Sequence, residues 1–517
     1  MASPAKRMRT DPGKLPPEGG GGAGTEGAEQ LSFAAGPDAP ATAINRRDSY
    51  FKEQYVDTTW VDNFKVRLMP SSSDGKKFVF HINKLDGSQH MYLNRMKFFM
   101  RVQIRDKNNA LPPADCTVAP VLSGGQAAVG RVRLTANGTT CMDTSEHTYP
   151  VTAYMGNLLN NGMDRKRGVL QREGHYEDEF RGEDGPYGSE WDVLKKGSGW
   201  DKRRSLFGDY LEGGTEFDYR ADQYAHFNIP LQTEFRDTLP MVSRVGGVLE
   251  ITLSEPGFYL QCDHQQVEAC RASQYHYHVD HCHLKIPVKT MNPSQGLSLE
   301  KRMVREPAEF NNTRMDLGKF LIPEGVKSFN TDQIKSFAVC PSRIAFLMVP
   351  AYRLDGAYGP SALRSTPFFE KPWKPPTEAV KSWHAPALED RVYLADAVLT
   401  INNQSVEDIN PIDPIMLQDE MYDTLHDNLG LSESTRGIGL TREDFINGKF
   451  LLLYDLTKSG RGFLGGSVRQ EVKQGSTKIA LRFTDPLPCN VYLFAVAEYR
   501  SKVKVTASRT VYYSFLD

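Results

Sequence analysis

Two stretches of this chain, 265 residues apart, read alike. Val132-Arg133-Leu134-Thr135-Ala136-Asn137 recurs as Ala397-Val398-Leu399-Thr400-Ile401-Asn402. Each alternates its side chains with period two and ends on a turn residue, the signature of a half-buried strand entering a tight turn. Each is followed by a polar linker and then a proline-started amphipathic segment, at Pro150 and at Pro414, closed by Gly162 and by Gly430. Each half also ends on two long strand patterns, 247–260 then 274–289, and 476–484 then 490–515. One matched hexapeptide is chance, but an ordered set of matches points to a duplicated module. A chain built this way has to bury two similar sheets twice over.

The rest of the chain fits that constraint. Met96, Phe98, Met100, Val102 and Ile104 alternate with Lys97, Phe99, Arg101, Gln103 and Arg105. Leu249, Ile251 and Leu253 alternate with Val248, Glu250 and Thr252, and Ile479, Leu481 and Phe483 with Lys478, Ala480 and Arg482. These read as strands with one wet face. Continuous apolar runs at 344–349, 450–454 and 491–497 suit strands covered on both faces. Asn137-Gly138 and Asn447-Gly448 are turn signals. Helices are few. The spacing predicts one from Pro414 to Leu429, capped by Asp413, with Leu417, Met421 and Leu425 on one face. It predicts another from Pro150 to Asn160, with Val151, Tyr154, Met155, Leu158 and Leu159 as its stripe.

The expected fold is therefore all-β: two consecutive jelly-roll sandwiches, a double jelly roll, with short inserted helices and long loops. A chain of 517 residues is too long for one core. We expect a first jelly roll over 46–292 and a second over 293–517, with a linker around Asn292-Pro293-Ser294-Gln295-Gly296. Residues 1–45 are Gly-, Pro- and Ala-rich and too poor in large apolar groups to offset their ordering entropy, so they read as a disordered arm. Its cluster of Lys6, Arg7 and Arg9 is either an import signal, a nucleic-acid contact or a solvated tail. No run approaches the roughly 18 apolar residues of a membrane span, and the N-terminus lacks the apolar core of a secretory signal. Seven scattered cysteines read as reduced thiols, and the sequons at Asn137, Asn311 and Asn403 as unused.

The sequence also resembles a known family, the major capsid (hexon) proteins of the Maverick/Polinton, adintovirus and adomavirus group. The resemblance rests on Val118-Ala119-Pro120-Val121, on His147-Thr148-Tyr149-Pro150 through Asn160, on Ile322 through Asn330, on Cys340-Pro341-Ser342-Arg343-Ile344 and on Thr366-Pro367-Phe368. It spans most of 50–517 and leaves out the arm. An extra polar stretch at about 165–225, with Gly182, Gly185 and Gly188, departs from the family pattern. The resemblance implies a homotrimeric, pseudo-hexameric capsomer tiling an icosahedral shell of a DNA virus. It implies neighbouring capsomers, penton and minor or cement proteins as partners. It places the chain in the virion, with assembly in the host nucleus.

The sequence carries several patterns that resemble reactive or ligand-binding sites. Gly460-Arg461-Gly462-Phe463-Leu464-Gly465 spells a dinucleotide motif, but no helical stripe follows to meet a pyrophosphate. Cys262, His264, Cys270, His276, His278, His281, Cys282 and His283 are zinc-type ligands without a zinc-knuckle spacing. Their expected role is a polar and aromatic strand surface, with His276, His278 and Cys282 on one face with Leu284, Ile286 and Val288, at an interface open to pH control. Glu177, Asp178 and Glu179 lie in a polar loop with no apolar pocket to raise a pKa. Trp373, Trp383, Phe368 and Phe369 read as loop anchors rather than a sugar platform. No catalytic, cofactor-binding or metal residue is therefore expected, nor any cofactor, and the chain is not expected to be an enzyme. The other readings are a single-jelly-roll capsid or penton protein with long loops, and a carbohydrate-binding β-sandwich with paired carboxylates in a groove.

Overall fold

A computed structural model describes residues 59–514 except 115, 117, 145–147, 153–154, 156–162, 177–198, 212–216, 232–239, 264–271, 332–334, 338–339, 352–356, 359–393, 410–413, 430, 432–441, 443–450, 458–474 and 488. The period-two stretches are strands. Eight of them build the first sandwich: β1 (Trp60–Leu68), β2 (Lys77–Ile82), β3 (Lys97–Asp106), β4 (Val129–Ala136), β5 (Thr139–Asp143), β6 (Ala225–Pro230), β7 (Gly247–Leu253) and β8 (Tyr275–Met291). Eight more build the second: β9 (Ala308–Ile322), β10 (Ser328–Asn330), β11 (Arg343–Pro350), β12 (Leu394–Ile401), β13 (Gln404–Ile409), β14 (Leu452–Asp455), β15 (Gly475–Phe483) and β16 (Val491–Val505).

The first set pairs as β1-β8-β3-β6 and β2-β7-β4-β5. The second pairs as β9-β16-β11-β14 and β10-β15-β12-β13. Adding eight to every label of the first set gives the second, and all these pairings are antiparallel. This is the jelly-roll order, present twice. It excludes the single-jelly-roll reading. Short strands extend each of the four sheets: Gln89–Met91 joins β8, Ser72–Ser73 joins β2, Lys335–Phe337 joins β15 and Val511–Ser514 joins β16.

The duplicated hexapeptide repeats down to its hydrogen bonds. The β4–β5 hairpin turns through Asn137 (φ 43°) and Gly138 (φ 90°), and β12–β13 through Asn402 (φ 52°) and Asn403 (φ 62°). Two left-handed residues match the twist of the flanking strands, which is why Asn stands at both turns. Asn137 N–H donates to Gly246 O (2.9 Å), and Gly246 N–H donates to Asn137 Oδ1 (3.1 Å). Asn402 N–H donates to Ser476 O (3.1 Å), and Ser476 N–H donates to Asn402 Oδ1 (3.1 Å). A glycine lies beside each clasp. A Cβ at Gly247 would sit 2.0 Å from Thr135 O, and one at Gly475 would sit 2.2 Å from Asn402 Oδ1.

The helices repeat less faithfully. The predicted second-half helix is α2 (Pro414–Asn428), with Met421 and Leu425 buried in the second core. Its capping residues, Asp413 and Gly430, lie outside the described residues. Of the predicted 150–160 helix, residues 148–152 and 155 are helical. Tyr149 belongs to the first core, whereas Val151 and Met155 belong to the second. The expected linker is instead a third helix, α1 (Pro293–Arg305), which precedes α2 in the chain. Asn292 Oδ1 accepts from Ser294 N–H (3.1 Å) and Pro293 opens the first turn, a start signal that the linker expectation overlooked.

Thr58–Asp517 forms one compact unit. The two cores trade residues. Met303, Phe310, Val503, Val505 and Val511 from the second half pack into the first core, and Leu122 and Phe258 from the first half into the second. Arg509 (φ 65°) ties them further: its Nε donates to Ser243 O (2.8 Å), its Nη2 pairs with Glu300, and its carbonyl accepts from Asn137 Nδ2 (2.9 Å). Among the described residues no helix is long and apolar enough to cross a membrane.

Candidate functional site

The strand β8 carries most of the histidine-rich cluster, and its geometry corrects the expected face. Before residue 279, Tyr275 and Tyr277 are buried; after it, Cys282, Leu284, Ile286 and Val288 are. The switch in parity comes from a register shift between Val279 and His281, which inserts Asp280 as a bulge. His276 and His278 therefore do not share the face of Cys282. They point outward with His281 and His283, opposite Arg105, Gln103, Arg101 and Phe99 of β3. His283 stacks on Phe99 (ring centroids 4.6 Å apart, planes 6° apart), and Arg101 Nε donates to Asp280 Oδ2 (2.6 Å). Burial, then the charge of His278, lowers the pKa of His276; burial, then the charge of Arg67, lowers that of His283. Buried Cys282 is a free thiol pushed up to about 12 by desolvation. Among the described residues no three His, Cys, Asp or Glu side chains converge as a metal-ligand set. His264 and Cys270 lie outside the described residues.

The cysteine expectation needs a second correction. Cys116 is disulfide-bonded, while Cys141, Cys282, Cys340 and Cys489 are buried thiols outside any disulfide. Spacing alone could not reveal this pairing. Val118–Pro120 pairs with Leu260–Asp263, which brings residues far apart in sequence alongside each other.

One Ser–His pair occurs where no sequence motif marks it. Ser123 Oγ lies 2.6 Å from His175 Nδ1, and Ser123 has φ 56°. The pair is buried, and the backbone beside it is jammed against its neighbours. A Cβ at Gly124 would meet Pro120 Cβ at 2.5 Å, and one at Gly125 would meet the Phe227 ring at 2.7 Å. The contact ties the Ser123 turn to the turn that follows Glu173. Buried Arg203 does the same work nearby, donating to Pro120 O (2.9 Å) and to Tyr176 O. Burial, with the hydrogen bond from Tyr210 O–H to Asp201 (2.6 Å), pushes that phenol up to about 12.

The Gly460–Gly465 motif, the acids Glu177–Glu179 and the aromatic residues Phe368, Phe369, Trp373 and Trp383 all lie outside the described residues, as does the Lys6–Arg9 cluster. What the sequence reading missed is a charged surface. The outward positions of sheet β1-β8-β3-β6 collect Lys65 and Arg67 from β1, Lys97, Arg101 and Arg105 from β3, and Lys285 and Lys289 from β8. A charge tally restricted to the polar face of each strand would have found them. The corresponding sheet of the second sandwich differs, because Ile344–Val349 and Val491–Ala497 are buried at both parities. One copy of the module keeps a wet sheet face; the other covers it.

Two sandwiches with this strand order define the double jelly-roll fold. Solved structures bear that out. A chain of the Sputnik virophage structure matches with TM-score 0.58 and 9% identity, covering 92% of this chain and 93% of that one. The Faustovirus major capsid protein matches with TM-score 0.51 and 9% identity, covering 88% and 93%. PBCV-1 VP54, fitted into a reconstruction of Sputnik, matches with TM-score 0.50 and 9% identity, covering 91% and 100%. Neither a family model nor a curated protein sequence matches the chain.

Proposed function

We propose that this chain is the structural major capsid protein of an icosahedral DNA virus and has no catalytic, cofactor or metal site. The observation that carries the reading is the eight-strand topology repeated in one chain, aligned over about nine-tenths of its length with capsid folds. Two like sandwiches per subunit let three chains imitate a hexagon, and a hexagon tiles a shell. On this reading 46–292 and 293–517 are the two structural units and the chain forms a homotrimer. Neighbouring capsomers, penton proteins and minor or cement proteins are its partners, and the virion is its destination.

The apolar stripe of α1 supports self-association. Leu297 and Val304, seven residues apart on one helix face, are 64% and 77% exposed. The narrower reading, a member of the Maverick/Polinton, adintovirus and adomavirus group assembling in the host nucleus, rests on the sequence resemblance and on Lys6, Arg7 and Arg9.

Light scattering coupled to size-exclusion chromatography tests the proposal. A mass of three times 58.0 kDa is expected. A monomer that persists at micromolar concentration would overturn it.

A further inference from the structure

The two sandwiches share a contact that a single chain can make only once. On the sheet β9-β16-β11-β14, Leu347 and Phe494 are in register with exposed Lys319, which places them on the outward face. Both are nevertheless buried, as are their outward neighbours Ala345 and Val496. The same apolar cluster takes in Val151 and Met155, helical residues between β5 and β6 of the first sandwich. Tyr149, just before them, packs into the first core. Val151 and Met155 lie about 200–240° further round the helix than Tyr149. One side of the helix thus serves its own sandwich and the other side serves the next.

The second copy of this arrangement is incomplete. Helix α2 lies between β13 and β14, the strands that match β5 and β6. Met421 and Leu425 pack into the second core, while Glu420, Asp423 and Asp427 are exposed. These acids lie about 180–240° further round, on the side that corresponds to Val151 and Met155. The face that corresponds to the covered one is the outward face of β1-β8-β3-β6, and it is wet and basic. Among the described residues no carboxylate lies within salt-bridge distance of Lys65, Arg67, Lys97 or Lys285, and the face's own acid, Asp280, is taken by Arg101. Like charges on neighbouring strands repel, so such a face is stabilised when an anionic surface meets it.

We propose that the acidic side of α2 in one copy of this chain docks on the basic outward face of β1-β8-β3-β6 in a second copy. The contact repeats between subunits, with charge, what Val151 and Met155 do within a subunit by apolar burial. Head-to-tail contacts of this kind close into a ring in which every module face is used. The difference in chemistry follows from when each contact forms. The internal one is made as the chain folds, whereas both surfaces of the external one meet water before assembly and must be soluble there. The proposal rests on the homotrimer reading and names the surfaces that hold the trimer together.

Subunit exchange between ¹⁴N- and ¹⁵N-labelled full-length protein, followed by native mass spectrometry, tests it. The variants are Lys65→Glu with Arg67→Glu on the face and Glu420→Lys with Asp423→Lys on the helix, all at exposed positions. Either pair alone sets like charges against each other, and should speed exchange of the trimer at least about tenfold or leave monomer. All four substitutions together restore opposite charges and should return exchange to within about threefold of wild type. That recovery separates charge pairing from damage to the fold. Unchanged exchange in either pair variant would overturn the proposal and leave the trimer reading standing. Failure of the fourfold variant to recover would overturn it in the same way. Wild-type protein that is monomeric would remove the trimer reading, and this contact with it. Duplex DNA that binds the intact wild-type trimer through Lys65 and Arg67 would show the face open after assembly and also overturn the proposal.

Discussion

Replacing Arg509 with alanine should loosen the attachment of the second sandwich to the first. The side chain is 10% exposed and spans the join: Nε donates to Ser243 O (2.8 Å), Nη2 reaches Ser243 Oγ (3.4 Å), and the guanidinium pairs with Glu300. Ser243 is buried, so removing this donor from its carbonyl costs about 1–3 kcal/mol. Glu300 is 41% exposed and can be resolvated, so losing that pair adds only about 0–1 kcal/mol. The sum, about 1–4 kcal/mol, corresponds to a roughly 5- to 700-fold faster local opening. Hydrogen exchange read by mass spectrometry should show that loss of protection in Val511–Ser514 and in the end of β16 paired with it. Arg509→Gly removes the same bonds but relieves the left-handed backbone, so it should open about 1 kcal/mol less readily than Arg509→Ala. Unchanged exchange in Arg509→Ala would show that the join is held by apolar packing alone.

Three further outcomes are expected. His90 is buried, and desolvation, with the Arg509 charge, holds its pKa at about 4. Folded His90 thus resists a proton that unfolded His90 accepts, so its contribution is fully present above about pH 6.5 and is lost as pH falls toward 4, by up to about 3 kcal/mol; His90→Gln should flatten the denaturant midpoint across that window. Gly247→Ala and Gly475→Ala should each destabilise by more than about 2 kcal/mol, because the new methyl meets fixed atoms at 2.0 and 2.2 Å, while Gly296→Ala, in open space on α1, should stabilise by about 0.5–1 kcal/mol in a thermal melt. Cys282 should resist iodoacetamide at neutral pH in native protein and react in urea; native alkylation would show that the sheet opens readily.

Much of the architecture was legible in the residues. Strands whose alternation is strict, such as β3 and β7, were read almost to their ends, because burying one face of a pleated strand forces period two. The hairpin asparagines were legible because two left-handed residues exclude most side chains. Other features were not. The bulge at Asp280 changes which histidines face outward, and no single-strand pattern announces an extra residue whose only signature is its partner's register. The Cys116 disulfide and the Ser123–His175 contact join segments that meet only after both sheets have formed. The basic face was hidden for the same reason: Lys65, Lys97 and Lys285 belong to three strands and become neighbours only in register.

Local chemistry, then, determined the elements and their duplication, since backbone twist, alternation and turn conformation are dictated by residues within a few positions of one another. Tertiary structure alone decided how the two copies diverge: which sheet face stays wet, which core Val151 and Met155 fill, and that Arg509 reaches back to Ser243. Those outcomes depend on surfaces assembled from distant strands, where the energy comes from what is buried against what.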